Sequence, residues 1–441
     1  MDKEFLQTSR ELVDFIAASP SPFHVVRSVR ALLDAAGFTY LSEREPWNVA
    51  CGGSYYTVRN GSSLVAFKVG ATLDAYHFQM GSAHTDSPTF KVKAAPTLDG
   101  PQDYVRLNVE GYGGMDDHIW FDRQLSLAGR VMVQDGKDIQ SRLLSFDRDL
   151  LLIPSVAPHL TRDIEKGLTL NRQVDLCPLF SAGELTSDDF LKLIADELGV
   201  EPSQVISFDL SLVNRQPGTV WGAAQEFVSS PKLDDLQCDF ALLRGFLSST
   251  NDHDVSVCAL FDSEEVGSGT KQGALSTFLN DTLLRVNASL GKTEEEYLCA
   301  LAQSFMVSCD NAHAVHPNHP ELSDAQNYPR LNGGIVIKEN AAGRYTTDAF
   351  SRAVFKAICH DADVPTQVFA NRSDKRGGST LGNLSSRKVS VHTVDVGLPQ
   401  LAMHSPYETA GTKDTAWGIK ALRAFYDANL TIDGVEGVTI G

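Results

Sequence analysis

Residues 255–270, VSVCALFDSEEVGSGT, constrain the fold more than any other stretch of the chain. The run 255–262 is mostly apolar, carries β-branched members and lacks polar alternation. It predicts a strand buried on both faces, as in the parallel part of an α/β sheet. Glu264 and Glu265 follow at once, and Gly267 and Gly269 predict a tight exit turn. A Glu-Glu pair is ordinarily a solvated helix face, because ionised carboxylates are rarely buried without partners; Glu294, Glu295 and Glu296, in GKTEEEY, read that way. Here an apolar strand delivers the pair to the edge at which α/β sheets bind ligands. Carboxylates placed there call for a cation.

Strand and helix signals alternate on both sides of a differently textured middle. Apolar spacing predicts an amphipathic helix ending before Ser19-Pro20-Ser21-Pro22 and a second from Pro22 to Gly37; Asn60-Gly61 joins two strand-like runs as a hairpin. A strand at 76–80 leads into GSAHTDSP, again ending in groups able to bind a ligand. Between about 93 and 222, strand-like runs are divided by Gly, Asp and Pro, with one short helix at 188–198. Beyond, helices at 233–247, 275–286, 294–303, 347–359 and 412–426 alternate with strands near 255, 304, 334, 368 and 389, and 398–408 reads as a loop. The pattern predicts one α/β domain, residues 1–93 and 222–441, interrupted by a smaller β-rich domain, residues 94–221. A chain of 441 residues is long enough for both cores.

The formal net charge of −18 argues against a nucleic-acid or anionic-membrane partner, since both need clustered Lys and Arg. The 7 cysteines are scattered, odd in number and free of C-x-x-C spacing, so neither a disulfide framework nor a zinc ribbon is expected. There is no apolar leader and no apolar run long enough for a membrane span. A soluble, cytoplasmic protein is the expectation.

Strand ends in the α/β half carry His84 with Asp86, Glu264 with Glu265, and Asp310; His404 lies in the late loop, and Asp234 and Asp235 start a helix. Any one has an ordinary structural explanation, a hydrogen-bonded core histidine or a helix cap. Together, histidines with several carboxylates form a mixed N/O set suited to Zn²⁺, Mn²⁺ or Co²⁺ rather than a thiolate site. Two such ions roughly 3.5–4 Å apart are a common arrangement in aminopeptidases.

The segments SPSPFHVV, GSAHTDSPTFKVK, WFDRQLSLAGRV, KLDDL, FDSEEVGSGT, SCDNAHAVHPNHPE and LPQLAMHSPYE, in that order and over nearly the whole chain, resemble those of the aspartyl aminopeptidase family. The resemblance implies a zinc-exopeptidase-like three-layer α/β/α catalytic domain with an inserted β-rich dimerisation domain. It also implies two divalent metal ions, most readily Zn²⁺, and a tetrahedral dodecamer built from dimers. The implied reaction removes N-terminal Asp or Glu from peptides. Carried over residue by residue, His84 and Asp310 bind one metal, Glu265 and His404 the other, Asp234 bridges them, and Glu264 is the general base. Asp86 would orient His84, and Asp235 could exchange roles with Asp234.

The family's lysine for the acidic side chain falls on Lys338, and a histidine reaching into a neighbouring subunit's active site falls on His159. In isolation these read as a solvated strand-end lysine and a surface histidine. His313, His316 and His319 mimic a metal cluster, but Pro317 and Pro320 keep a helix from aligning them. The loop Arg376-Gly377-Gly378-Ser379-Thr380 departs from relatives that carry Pro-Cys at its first two positions, which leaves its substrate contacts open. Another aminopeptidase specificity, a small-molecule amide hydrolase, or an assembly protein with a vestigial site are the competing readings.

Overall fold

The structure, a computed structural model, describes residues 2–160, 169–434 and 437–441. It groups into two units, Met1–Asp86 with Gly218–Met403 and Glu408–Gly441, and Ser87–Pro217 with His404–Tyr407.

The first unit is built on a nine-stranded sheet. Its centre is four mutually parallel strands, in the order Val255–Phe261, Phe78–His84, Phe305–Cys309 and His392–Gly397. Every residue of Val255–Phe261 is buried, as the unbroken apolar run requires of a strand covered on both faces. One face packs Leu12, Val25, Leu236, Leu242, Val354 and Leu422 from helices Lys3–Ala17, Pro22–Ala35, Leu233–Ser248, Ala349–Asp361 and Asp414–Asp427. The other packs Phe278, Leu283, Tyr297, Ala300 and Leu381 from Phe278–Ser289, Glu294–Ala302 and Leu381–Ser385. The result is the three-layer α/β/α arrangement expected from the sequence. Glu294, Glu295 and Glu296 form the first turn of their helix, where Thr293 and Glu296 make a capping box and the acids complement the helix dipole.

The strand expected at 76–80 instead runs Phe78–His84, through the small residues Gly81, Ser82 and Ala83. A Cβ at Gly81 would stand 2.3 Å from Leu242 Cδ1 and 2.5 Å from Tyr426 Oη. The helix layer thus lies directly on the strand, and small residues mark close packing rather than a turn. The stretch 398–408, expected as a loop, contains the strand Pro399–Leu401 and ends where the strand Glu408–Gly411 begins, both in a separate five-stranded sheet. Strands of three or four residues are too short to leave a readable period.

The second unit carries a six-stranded sheet, in the order Asp138–Ser145, Leu125–Asp135, Val205–Asn214, Thr89–Asp99, Tyr104–Tyr112 and Leu179–Ala182, with every pairing antiparallel. Its core holds Phe90, Trp120, Leu127, Phe146 and Leu212, and helix Asp189–Leu198 adds Phe190 and Ile194. Because Thr89–Asp99 already pairs in this sheet, the unit begins at Ser87, ahead of the expected 94. His404–Tyr407 joins it through Asn214 Nδ2, which donates to the Pro406 carbonyl at 2.9 Å, and Tyr407 Oη, which donates to the Pro217 carbonyl at 2.8 Å. Among the described residues no helix is long and apolar enough to cross a membrane.

Candidate metal centre

Register brings the chemistry to one edge of the nine-stranded sheet. Phe261 pairs with His84, so the turn carrying Glu264 and Glu265 leaves the sheet beside His84; Ser308 pairs with Ser82, so Asp310 leaves on the other side. Ser263 and Gly267, both at positive φ (69° and 90°), reverse the chain around the short turn Glu264–Val266.

Asp86 ties these pieces together. Its Oδ1 accepts the Glu264 N–H and its Oδ2 the Glu265 N–H, both at 3.1 Å. His84 Nδ1 lies 3.1 Å from the Asp86 carbonyl oxygen and 3.5 Å from Asp86 Oδ1. With Nδ1 turned to these acceptors, Nε2 is the nitrogen left on the far side of the ring, where a metal ion would bind. There it meets Asp234 Oδ1 at 3.3 Å and Asp235 Oδ2 at 4.0 Å.

The two aspartates differ in how their oxygens are engaged. Asp235 accepts the His84 N–H (3.1 Å) with one oxygen and the Asn311 N–H (3.2 Å) with the other. Asp234 donates its N–H to Glu408 Oε2 at 2.9 Å, and its Oδ2 accepts from Gln400 Nε2 at 3.5 Å. Both aspartates have non-helical backbone angles, and the peptide joining them is cis. Asp310 Oδ1 accepts from Lys338 Nζ at 3.2 Å; the same ammonium donates to the Asn311 carbonyl at 3.1 Å and lies 5.4 Å from the Tyr345 ring centre. The expected strand-end cation is therefore a buried one, 2% exposed, ion-paired to an expected metal ligand.

So many acids in one buried place perturb one another. Burial pushes the Glu264 carboxyl up to about 8; His84 opposes the rise, while Asp310, Asp86 and Asp234 add to it. Burial raises Glu265 well above the carboxylate range, with Asp234 adding, and burial raises Asp235 in the same way. Asp310 is raised by burial against the pull of Lys338. Burial alone would lower the His84 imidazolium, but Asp235, Asp234 and Asp86 together hold it well above the ordinary histidine value. Burial also opposes the Lys338 ammonium, which Asp310, Tyr345 and Asp395 hold above the usual lysine value. Each direction reports a site short of positive charge. Ligand atoms of His84, Asp234, Asp235 and Asp310 lie within 4.8 Å of one another, as do those of His84, Glu264 and Glu265. A nitrogen and several carboxylate oxygens at that spacing fit a divalent metal ion.

His159 is exposed, in a turn of the second unit. His404, at φ 65°, belongs to the segment that groups with that unit. His316 and His319 stack with ring centres 5.3 Å apart, and His319 Nδ1 lies 3.0 Å from Glu321 Oε1, so these histidines serve their own loop. Residues 376–380 lead into helix Leu381–Ser385, where Thr380 Oγ1 donates to Asp395 at 2.7 Å. Sequence reasoning did not single out Asn311, Gln400 or Glu408. Asn311 Nδ2 lies within 3.1 Å of the Leu233 carbonyl, Gln237 Oε1 and Gln400 Oε1, a knot supporting both aspartates. Their one sequence signal is a polar residue inside an otherwise apolar or ligand-bearing motif.

Comparison with known proteins agrees with this geometry. Residues 15–426 match the family described as aminopeptidase I zinc metalloprotease (M18). A probable M18 family aminopeptidase 2 of Clostridium novyi is 43% identical, over 96% of this chain and 100% of its own, and one of Stutzerimonas stutzeri is 41% identical, over 96% and 98%. Among solved structures, Ape4 in its complex with Nbr1 superposes with a TM-score of 0.93 at 35% identity, covering 96% of this chain and 86% of that one. Yeast aminopeptidase 1 gives 0.84 at 28% identity, covering 96% and 97%. The chain belongs to the M18 family of zinc metallo-aminopeptidases.

Proposed function

We propose that this aminopeptidase removes N-terminal Asp or Glu from peptides, using two divalent metal ions, most readily Zn²⁺, with Glu264 as general base. The observation that carries the reading is the buried acid cluster around His84. Asp86, Asp234, Asp235, Asp310, Glu264 and Glu265 bring six carboxyl groups together around His84 and the ammonium of Lys338, more acid than those two cations balance.

In this reading His84 and Asp310 hold one ion and Glu265 and His404 the other; the role of His404 rests on the family resemblance. Asp234, rather than Asp235, would be the ligand shared by both ions, since both oxygens of Asp235 accept backbone N–H groups. When bound, the ions polarise the scissile carbonyl and lower the pKa of a nearby water. Glu264 would take the proton from that water and return it to the leaving amine; burial holds its carboxyl above the usual carboxylate range, which favours its keeping the proton between the two steps. Asp86 fixes both glutamates through their backbone N–H groups and holds the His84 tautomer.

Lys338 is the proposed anchor for the acidic side chain. An ammonium has three donors, and two are occupied by Asp310 and the Asn311 carbonyl, leaving one for a substrate carboxylate. A yeast relative's structure is described as a dodecamer; we extend a tetrahedral dodecamer built from dimers to this chain, with His159 contacting substrate in a neighbouring subunit. Hydrolysis of Asp-, Glu-, Leu- and acyl-amide substrates, with Zn²⁺, Mn²⁺ or Co²⁺ added, tests the reading. Preference for Leu over both acids refutes the specificity, and full activity after exhaustive chelation refutes the metal requirement.

A further inference from the structure

A cavity of about 680 Å³ in the first unit is lined by Arg59, Gly269, Thr270, Lys271, Leu275, Ser276, Thr277, Arg387 and Lys388. Its walls carry four cationic side chains and no carboxylate, in a chain whose net charge is −18. Arg59 forms the neutralised part, since its guanidinium pairs with Glu43 at 2.5 Å and Asp281 at 3.0 Å and covers the Phe278 ring. Lys271, Arg387 and Lys388 are different. Among the described residues their side chains form no salt bridge or hydrogen bond, and all three are exposed.

Like charges facing one cavity repel, and leaving them unpaired costs stability unless an anion joins them. Helix Phe278–Ser289 begins at the cavity, its Phe278 N–H already accepted by Ser276 Oγ at 3.2 Å and its first turn carrying Asp281, the partner of Arg59. The lining has no aromatic ring on which a nucleobase could stack. We propose that this cavity binds a compact multivalent oxyanion, a small molecule bearing two or more phosphate or carboxylate groups.

The site is wired to the turn that carries Glu264 and Glu265. Thr270 Oγ1 donates to Ser263 Oγ at 3.1 Å, Gln272 Nε2 donates to Asp262 Oδ2 at 3.2 Å, and the Ser268 N–H donates to the Ser263 carbonyl at 2.7 Å. An anion joining Lys271 to Arg387 and Lys388 would therefore brace the loop that leaves the metal centre. Binding at this cavity does not depend on which substrate the enzyme cleaves.

The test is calorimetric titration of the metal-loaded, full-length enzyme with methanedisulfonate, a pyrophosphate-shaped dianion that does not strip bound zinc, at low ionic strength against chloride of matched ionic strength. One saturable site per chain is expected. Affinity should fall at least tenfold in the Lys271→Ala/Arg387→Ala/Lys388→Ala variant and by a smaller factor in Lys271→Gln, with melting temperatures no lower than that of wild type in the absence of ligand. Arg387→Lys should retain binding. Absence of saturable binding, or equal affinity in wild type and triple variant, overturns the proposal. A change of oligomeric mass in Lys271→Glu/Arg387→Glu also overturns it, because the cations would then be serving an interface between copies.

Discussion

Asp86→Asn isolates the part of the centre that positions groups without binding metal in the proposed scheme. The substitution keeps volume and one acceptor oxygen, but turns the other oxygen into an amide donor facing a backbone N–H. Whichever way the amide settles, the N–H of either Glu264 or Glu265 loses its partner, since Asp86 now serves each at 3.1 Å. A hydrogen bond to a charged group contributes about 1.5–3 kcal/mol, which corresponds to roughly a 10–150-fold loss in kcat/KM if the bond's whole worth is spent on holding the transition-state geometry. His84 also loses a charged neighbour at 3.5 Å from Nδ1, so metal affinity should weaken by about 10–100-fold, as for other groups that orient a ligating histidine. The assay is kcat/KM on a fluorogenic Asp substrate at saturating metal, with metal content followed by elemental analysis after graded chelation and folding checked by thermal melting. If the variant keeps its fold, and both kcat/KM and metal affinity stay within about threefold of wild type, Asp86 is not the positioning residue argued here.

Glu264→Gln should retain metal while kcat falls by about 10²–10⁴, the usual worth of a general base; near-normal turnover would remove Glu264 from that role. Lys338→Met should reduce kcat/KM on Asp substrates about tenfold more than on Leu substrates, the cost of one charged hydrogen bond; equal losses would leave Lys338 as only the partner of Asp310. His24 supplies a pH prediction. It is 1% exposed, with Nδ1 2.7 Å from Ser21 Oγ, and burial, aided by Arg27 and Lys232, lowers its pKa to about 4. The unfolded chain therefore binds the proton first, and stability falls as pH drops from 6.5 toward 4, by about 3 kcal/mol at the end of that window. Urea unfolding across those pH values should show the decline and His24→Gln should flatten it; an unchanged slope in the variant would place the titration elsewhere.

The layers of the first unit were legible because they rest on burial, which periodicity records. Val255–Phe261 is apolar without a break because both its faces are covered, and Leu12, Val25 and Leu422 recur at helical spacing because one side of each helix meets the sheet. What escaped was set by neighbours distant in sequence. Nothing near Gly81 announces that Leu242 and Tyr426 lie against it, so the strand was expected to end before small residues that are in fact its most closely covered part. In the same way, Glu408–Gly411 is a strand because Phe227–Ser230 pairs with it, and four residues of a mixed polar stretch carry no sign of that partner.

The candidate metal centre divides along the same line. Residue type at a strand end is local, so His84, Glu264, Glu265 and Asp310 could be picked out before any fold was known. Commitment is not local. Asp234 and Asp235 are chemically identical and adjacent, yet only the arrival of the His84 and Asn311 N–H groups engages both oxygens of Asp235 and leaves Asp234 facing His84 Nε2. Lys338 shows the energetic consequence. A lone buried ammonium would lose its charge, and a lone buried Asp310 would hold its proton; each keeps the other ionised across 3.2 Å. The lysine is thereby bound to one proposed metal ligand while still having a donor to offer. That ties the charge state of the metal centre to the group proposed to read the substrate's acidic side chain, a linkage that becomes visible only when the two strand ends lie side by side.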